Sequence, residues 1–362
     1  MLLVHLSDPK LGKSEMEKDI TETWNLVATL KDSEIIDLIV QKGEPFKATY
    51  IGPGKAEEVI GYITDHQVDV ILISGILTPV QKFNLTKMCW GISREIQVWD
   101  RVDLILTIFE KHAHTTEAKL QIDLARMRHM GPSIFGMGMV LSRQGGGIGT
   151  RGIGETNTEL MKRHWKREIK RVTDELDKLT QHRQSQIDRR KNLGLKTVSI
   201  VGYTNAGKST LFNLLTHKHN LVDNILFATL DSTVGELFLP KLGRQVVISD
   251  TIGFIKDLPP RLIEAFKSTL LESLNADIIL HVTDLSDPDM YEKINVVDGI
   301  LDQMGVIPDK IIVVFNKTDI AKIPDPEKIR SHISPYPGIF LSAKNHAGLD
   351  ELIENISGKL TG

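Results

Sequence analysis

A chain of 362 residues is too long for one ordinary domain and long enough for two or three, each with its own core. It is 41% hydrophobic and 25% charged, as soluble globular proteins are, and its single cysteine, Cys89, excludes a disulfide framework and a thiolate metal cluster and points to a reducing compartment. The net charge of −3 hides a basic middle: Lys119 to Lys196 carries 17 Lys or Arg against 8 Asp or Glu.

The first ten residues, MLLVHLSDPK, lack the basic start and apolar core of a signal peptide, and no run approaches 18 apolar residues. A cytoplasmic chain without a transmembrane segment is expected. Residues 1–115 read as an N-terminal α/β domain. LLVHL, EIIDLIV, ATYIG, VDVILISG and REIQVWD have the apolar density of strands, and 14–30, 54–67, 78–91 and 101–112 have helical spacing. That alternation predicts a mainly parallel sheet covered by helices. GPGK at 52–55 reads as a strand-to-helix turn, with a second phosphate or nucleotide site as the alternative. His112 and His114 read as solvated helix-end residues rather than metal ligands, since no carboxylate or cysteine cluster accompanies them. Trp90, Trp99 and Trp165 read as packing anchors rather than base-stacking platforms.

Residues 116–193 read as a helical hairpin linker. Leu120, Leu124 and Met127 share one helical stripe, which Gly131-Pro132 is expected to end. Trp165, Ile169, Val172, Leu176 and Leu179 form a second stripe, and the two can bury against each other as an antiparallel pair. A glycine-rich loop, 136–154, is expected at the turn, with SRQGGGIGTRGIGETNTEL covering 142–160.

Residues 194–362 alternate strands (TVSIV, VVISD, DIILHVTD, KIIVVFN, GIFLSA) with helices over the length of one doubly wound domain. Its first turn, Gly202-Tyr203-Thr204-Asn205-Ala206-Gly207-Lys208-Ser209-Thr210, is a P-loop: glycines let backbone N–H groups face phosphate oxygens, and the following helix offers its positive end. Lys208 is expected at the β and γ phosphates, and Ser209 on Mg²⁺. Asp250-Thr251-Ile252-Gly253 ends a later strand as D-x-x-G, with Asp250 in the magnesium shell through water and the Gly253 amide on the γ phosphate. Asn316-Lys317-Thr318-Asp319 names the base. The Asp319 carboxylate can accept from N1–H and the exocyclic amine of guanine, a donor pair adenine lacks, and such a difference is worth a factor of about 10⁴. Asn316 helps fix the base and the Lys317 stem can cross its face. Ser342-Ala343-Lys344 could bring the Ala343 amide near guanine O6. In this order the four motifs make a translation-factor-like GTPase.

A threonine between Gly207 and Asp250 must sense the γ phosphate and complete the Mg²⁺ shell. Phe227-Ala228-Thr229-Leu230-Asp231 supplies Thr229, preferred to Thr233 because the F-x-T-L-x-P/S-T pattern of one GTPase branch uses that position. Segments 217–235 and 251–262 are expected to order with GTP. Phe254 stands where many switch GTPases carry the glutamine that orients water, so intrinsic hydrolysis is expected to be slow, on the order of 10⁻³ s⁻¹ or less, with a loop or partner supplying the missing group.

GGGIGTRGIGETNTEL, YIGPGKAEEV, GYTNAGKSTLFNLLT and LFATLDST, in this order, resemble the signature blocks of the HflX family of ribosome-associated GTPases over about residues 1–345. The resemblance implies a family-specific N-terminal domain, a helical linker and a GTPase domain, in a short form without the extra C-terminal domain of longer relatives. It also implies action on the large ribosomal subunit, where relatives dissociate ribosomes or rescue stalled ones. Ile153 replaces the usual proline, and Asn157 and Thr158 replace Gln-Leu. Local composition agrees with RNA contact. Glycines admit crowded backbone, Arg143 and Arg151 flank the loop, and Lys162, Arg163, Lys166, Arg167, Lys170 and Arg171 line the next helix.

The expected protein is therefore a monomeric GTP-hydrolysing switch that takes GTP or GDP and Mg²⁺ and binds the rRNA of the large ribosomal subunit. Two alternatives are a GTP-dependent switch on a protein or membrane-surface partner and an ATP-using RNA-remodelling enzyme.

Overall fold

A computed structural model of the chain describes residues 1–144, 153–217, 233–251, 253–255, 262, 266–321, 329 and 338–361, with backbone alone at 132–144, 153–158 and 267–269. These residues divide into two compact units, one of 1–111 with 119–175 and one of 112–118 with 176–362.

In the first unit β1 (Leu2–Ser7), β2 (Asp37–Lys42), β3 (Val70–Ile73) and β4 (Gln97–Trp99) form a parallel sheet in the order β2-β1-β3-β4. The inner strands β1 and β3 are buried on both faces, which is why their sequences are apolar runs rather than alternations. Four helices cover them: α1 (Lys13–Ala28), α2 (Pro53–Asp65), α3 (Pro79–Cys89) and α4 (Arg101–His112). Leu2, Val4, Ile71 and Ile73 meet Ala56, Val59 and Leu85 in one core. Helix starts are written locally. Thr78 and Gln81 exchange side-chain and backbone hydrogen bonds at the head of α3, and Asp100 and Asp103 do the same at α4.

The ATYIG strand does not form. Phe46 and Tyr50 exchange backbone hydrogen bonds of 2.9 Å in a tight turn, with Tyr50 at φ +68°. Its apolar residues still serve the core, from the turn: Ile51 is buried, and the Tyr50 ring covers Gly75, where an added Cβ would lie 1.9 Å from the phenol oxygen.

Helix α5 (Thr116–Gln144) runs through Gly131-Pro132, so the expected stop is wrong and helical backbone occupies 136–144, where a loop was expected. Proline keeps a helical φ and forfeits one N–H. Gly131 serves close packing instead. The Trp165 indole of α6 (Ile153–Asn192) donates to the Met127 carbonyl at 3.1 Å, and an added Cβ on Gly131 would sit 2.7 Å from that nitrogen. Trp165 is thus a packing anchor, as expected. Ala118, Ile122, Leu124 and Ala125 of α5, and Val172, Leu176 and Ile187 of α6, are buried.

In the second unit β5 (Thr197–Gly202), β6 (Thr233–Leu239), β7 (Arg244–Asp250), β8 (Ile278–Asp284), β9 (Ile311–Asn316) and β10 (Gly338–Phe340) make a sheet in the order β10-β9-β8-β5-β7-β6. All neighbours are parallel except β6 with β7. Helices α7 (Lys208–Thr216), α8 (Lys267–Asn275), α9 (Met290–Gln303) and α10 (Leu349–Thr361) complete it. Strand β6 was not among those expected, although TVGELFL alternates in and out as a half-buried strand should. The topology reverses beside β5, so the loops after β5, β7, β8 and β9 gather at one sheet end, where α/β sheets bind ligands.

Candidate nucleotide site

The turn after β5 is shaped by residues that a side chain would spoil. Gly202 has φ +149° and an added Cβ there would meet the Val282 carbonyl oxygen at 2.1 Å; Gly207 has φ +91° and a Cβ would meet Asn316 Nδ2 at 2.2 Å. Asn205 also has positive φ, +63°, which asparagine tolerates better than most residues. Gly207 caps α7, whose N-terminus therefore opens on the loop.

Lys208 is buried, and its ammonium donates to the Tyr203 carbonyl at 2.9 Å. Burial pushes its pKa down to about 8, against the opposing pull of the Asp250 carboxylate. Ser209 Oγ donates to Asp250 Oδ2 at 2.8 Å, so two hard oxygen donors meet beside the lysine. An added Cβ on Gly253 would lie 2.9 Å from Lys208 Nζ and 2.9 Å from Thr204 Cγ2: the D-x-x-G glycine rests on the P-loop. Thr251 is buried and donates to the Ile200 carbonyl at 2.7 Å.

Phe254, read from sequence only as a missing glutamine, has a positive task. Its N–H donates to Gly202 O at 3.1 Å and its carbonyl accepts from Thr204 N at 2.8 Å, clamping the segment after β7 to the P-loop while the ring is buried.

The base motifs converge on the same loop. Asn316 Nδ2 donates to Ala206 O at 2.9 Å, and its Oδ1 accepts from Ala343 N at 3.0 Å, so one amide ties the P-loop to the Ser342-Ala343 turn. Ser342 Oγ donates to Asp319 Oδ1 at 2.7 Å, and this bond holds the carboxyl pKa below its usual value. Asp319 itself is exposed, and Thr318 N donates to Leu341 O at 3.2 Å. Lys344 is exposed at the rim and Thr210, the third residue of α7, is half-buried. Sequence reading missed Asp284, at the end of β8, which pairs with Lys317 Nζ at 2.6 Å; its only signal was an acidic residue closing DIILHVTD.

Phe227, Ala228, Thr229, Leu230, Asp231, Ile252, Arg151 and the Arg143 side chain lie outside the described residues. On α6, Arg163, Lys166, Arg167, Lys170 and Arg171 are exposed and Lys162 is half-buried. At GPGK, Gly52 caps α2 and Lys55 pairs with Glu58 at 2.6 Å, but a turn, not the expected strand, leads into the helix. Among the described residues the His, Asp and Glu side chains close enough to share an ion are Asp100, Asp103 and His129, not the H-x-H pair; both carboxylates there already cap α4.

Three family models match: GTP-binding GTPase N-terminal over residues 17–110, GTP-binding GTPase Middle Region over 112–190, and 50S ribosome-binding GTPase over 197–317. GTPase HflX of Caldanaerobacter subterraneus subsp. tengcongensis is 43% identical over 351 residues, which is 97% of this chain and 79% of that one. GTPase HflX of Lacrimispora saccharolytica is 41% identical over 347 residues, covering 96% and 78%. A crystal structure of SsGBP in complex with GDP aligns over 100% of this chain and 99% of its own, with a TM-score of 0.53 at 25% identity.

Proposed function

The chain belongs to the HflX family of GTPases and hydrolyses GTP, and from that premise we propose that it is a nucleotide switch acting on the large ribosomal subunit. The observation that carries the nucleotide half is the Asn316 amide, bonded at once to Ala206 and Ala343, which draws three separated motifs into one base-and-phosphate site. Asp319, oriented by Ser342, reads guanine, and Asn316 Oδ1, which accepts from the Ala343 N–H, fixes the Ser342-Ala343 turn beside it.

Hydrolysis proceeds by attack of water on the γ phosphorus, with the bond to the β–γ bridging oxygen breaking as the new P–O bond forms and no covalent intermediate. Lys208 neutralises charge on the β and γ oxygens, and the Gly253 amide and Thr229 hold the γ phosphoryl group. Ser209 and Asp250 would hold Mg²⁺, since their paired oxygens, 2.8 Å apart, are the hard donors this dication prefers. When bound, that ion neutralises the phosphate charge that develops in the transition state. Phe254 clamps the loop but brings no polar group to the water. The group that positions water therefore comes from another loop or from the partner.

The ribosomal half is supported by the match of 197–317 to the 50S ribosome-binding GTPase model and by the exposed basic residues of α6. GTP favours the bound state, and contact accelerates turnover. The test is the GTPase rate of the full chain with and without purified large subunits. Acceleration of tenfold or more, on the order expected when a missing positioning group is supplied, is the expected result. An unchanged rate with saturating subunits overturns the ribosomal assignment and leaves the GTPase intact.

A further inference from the structure

Lys317 follows β9 in a left-handed conformation, φ +67°, which side chains seldom adopt. Its ammonium reaches Asp284 Oδ2 at 2.6 Å. Asp284 closes β8 directly opposite Asn316 in the sheet register, and Leu285 N donates to Asn316 O at 3.0 Å, so the two strand ends cannot drift apart. The other carboxylate oxygen is occupied too: Asp284 Oδ1 accepts from Ser286 N at 2.9 Å and Ser286 Oγ at 2.6 Å. That leaves the carboxylate without rotational freedom and Oδ2 aimed at the lysine. The side chains are 25% and 17% exposed, less than an ordinary surface pair.

We infer that Asp284 is a positioning residue for base recognition, holding the Lys317 ammonium so that its four-carbon stem forms a ready-made wall at the mouth of the base site. This rests on the reading of Asn316 to Asp319 as the guanine site. An exposed ion pair usually contributes little because two long side chains must be ordered to make it. Here the carboxylate is fixed by its own turn, and only the lysine stem is immobilised. The ordering cost is met on folding rather than when nucleotide arrives, which is how preorganisation raises affinity. GDP and GTP share the base, so both gain equally, and the gain lies in slower release.

The test follows fluorescent GDP release and steady-state GTP turnover in the full chain as wild type, Asp284→Asn, Lys317→Met and the double variant. Asp284→Asn is expected to speed GDP release about tenfold and to raise KM for GTP by about the same factor, with kcat held within about twofold. The double variant should release GDP no faster than the worse single one, because both remove the same wall. Additive effects, or release unchanged in Asp284→Asn, overturn the inference. If the Asn variant does not fold, Asp284→Glu moves the charge by one methylene and is read the same way. Failure of the base reading looks different: ATP would then compete with labelled GDP on the wild-type chain as well as GTP does.

Discussion

Lys208 holds an ammonium in a buried position, and the sign of that cost is fixed by its depressed pKa, about 8 against an ordinary 10.5. Between those values the unfolded chain binds a proton that the folded chain lacks, so this group's contribution to stability rises with pH from about 8 to 10.5 and is at its most unfavourable below 8, by roughly 3 kcal/mol. Phosphate reverses the preference, because an adjacent anion favours the charged amine. Nucleotide binding near pH 8 to 9 should therefore take up a proton, and affinity should fall as pH rises past 8. Calorimetry of GDP binding in two buffers of different ionisation enthalpy measures the uptake; zero uptake at pH 8.5 would contradict a lysine poised in this way. The motif residues around it were legible in the sequence because ligand chemistry dictates their identity and spacing. Asp284 and the Phe254 backbone clamp were not, since each acts through a contact between segments far apart in the chain that local sequence does not record.

At the scale of elements, the strand and helix alternation was readable on both sides of the linker, because parallel strands buried on two faces announce themselves as apolar runs. The failures share a cause. ATYIG supplies apolar side chains to the core from a turn, and Gly131-Pro132 serves a helix–helix contact, so in both places tertiary packing overrides the local signal. The second case can be tested. Gly131→Ala improves helix propensity by about 1 kcal/mol, yet its Cβ would come within 2.7 Å of the Trp165 indole nitrogen and 3.3 Å of Cδ1. Overpacking of this kind costs about 1 to 3 kcal/mol, so the substitution should be net destabilising by about 1 kcal/mol. Combined with Trp165→Ala, which empties the space, Gly131→Ala should turn stabilising. Denaturant unfolding of the two single variants and the double gives the sign, and a stabilised single variant would mean the glycine is there for some other purpose.

For the molecule as a whole, charge is distributed against its average: the chain is net −3, while Lys119 to Lys196 is strongly basic. Much of that basic charge sits on the exposed side of α6, opposite the buried Val172 and Leu176. Part of it is already paired within the helix, Arg163 with Glu159 at 3.6 Å and Arg171 with Glu168 at 3.0 Å and Glu175 at 3.4 Å. Such exposed pairs are worth well under 1 kcal/mol each, so phosphate can replace the carboxylate at little cost. A solvated face and an RNA-binding face look alike in composition, and what separates them is counterion release. If α6 contacts rRNA, affinity for large subunits should fall steeply with salt, by roughly 0.9 in the log–log slope for each phosphate neutralised. Replacing Lys166 and Arg167 by glutamine should then weaken binding and reduce that slope by about two, measured by cosedimentation of the GTP-loaded chain across a salt series. A merely solvated helix would leave the slope where it was, and α6 would be removed as an RNA-binding face.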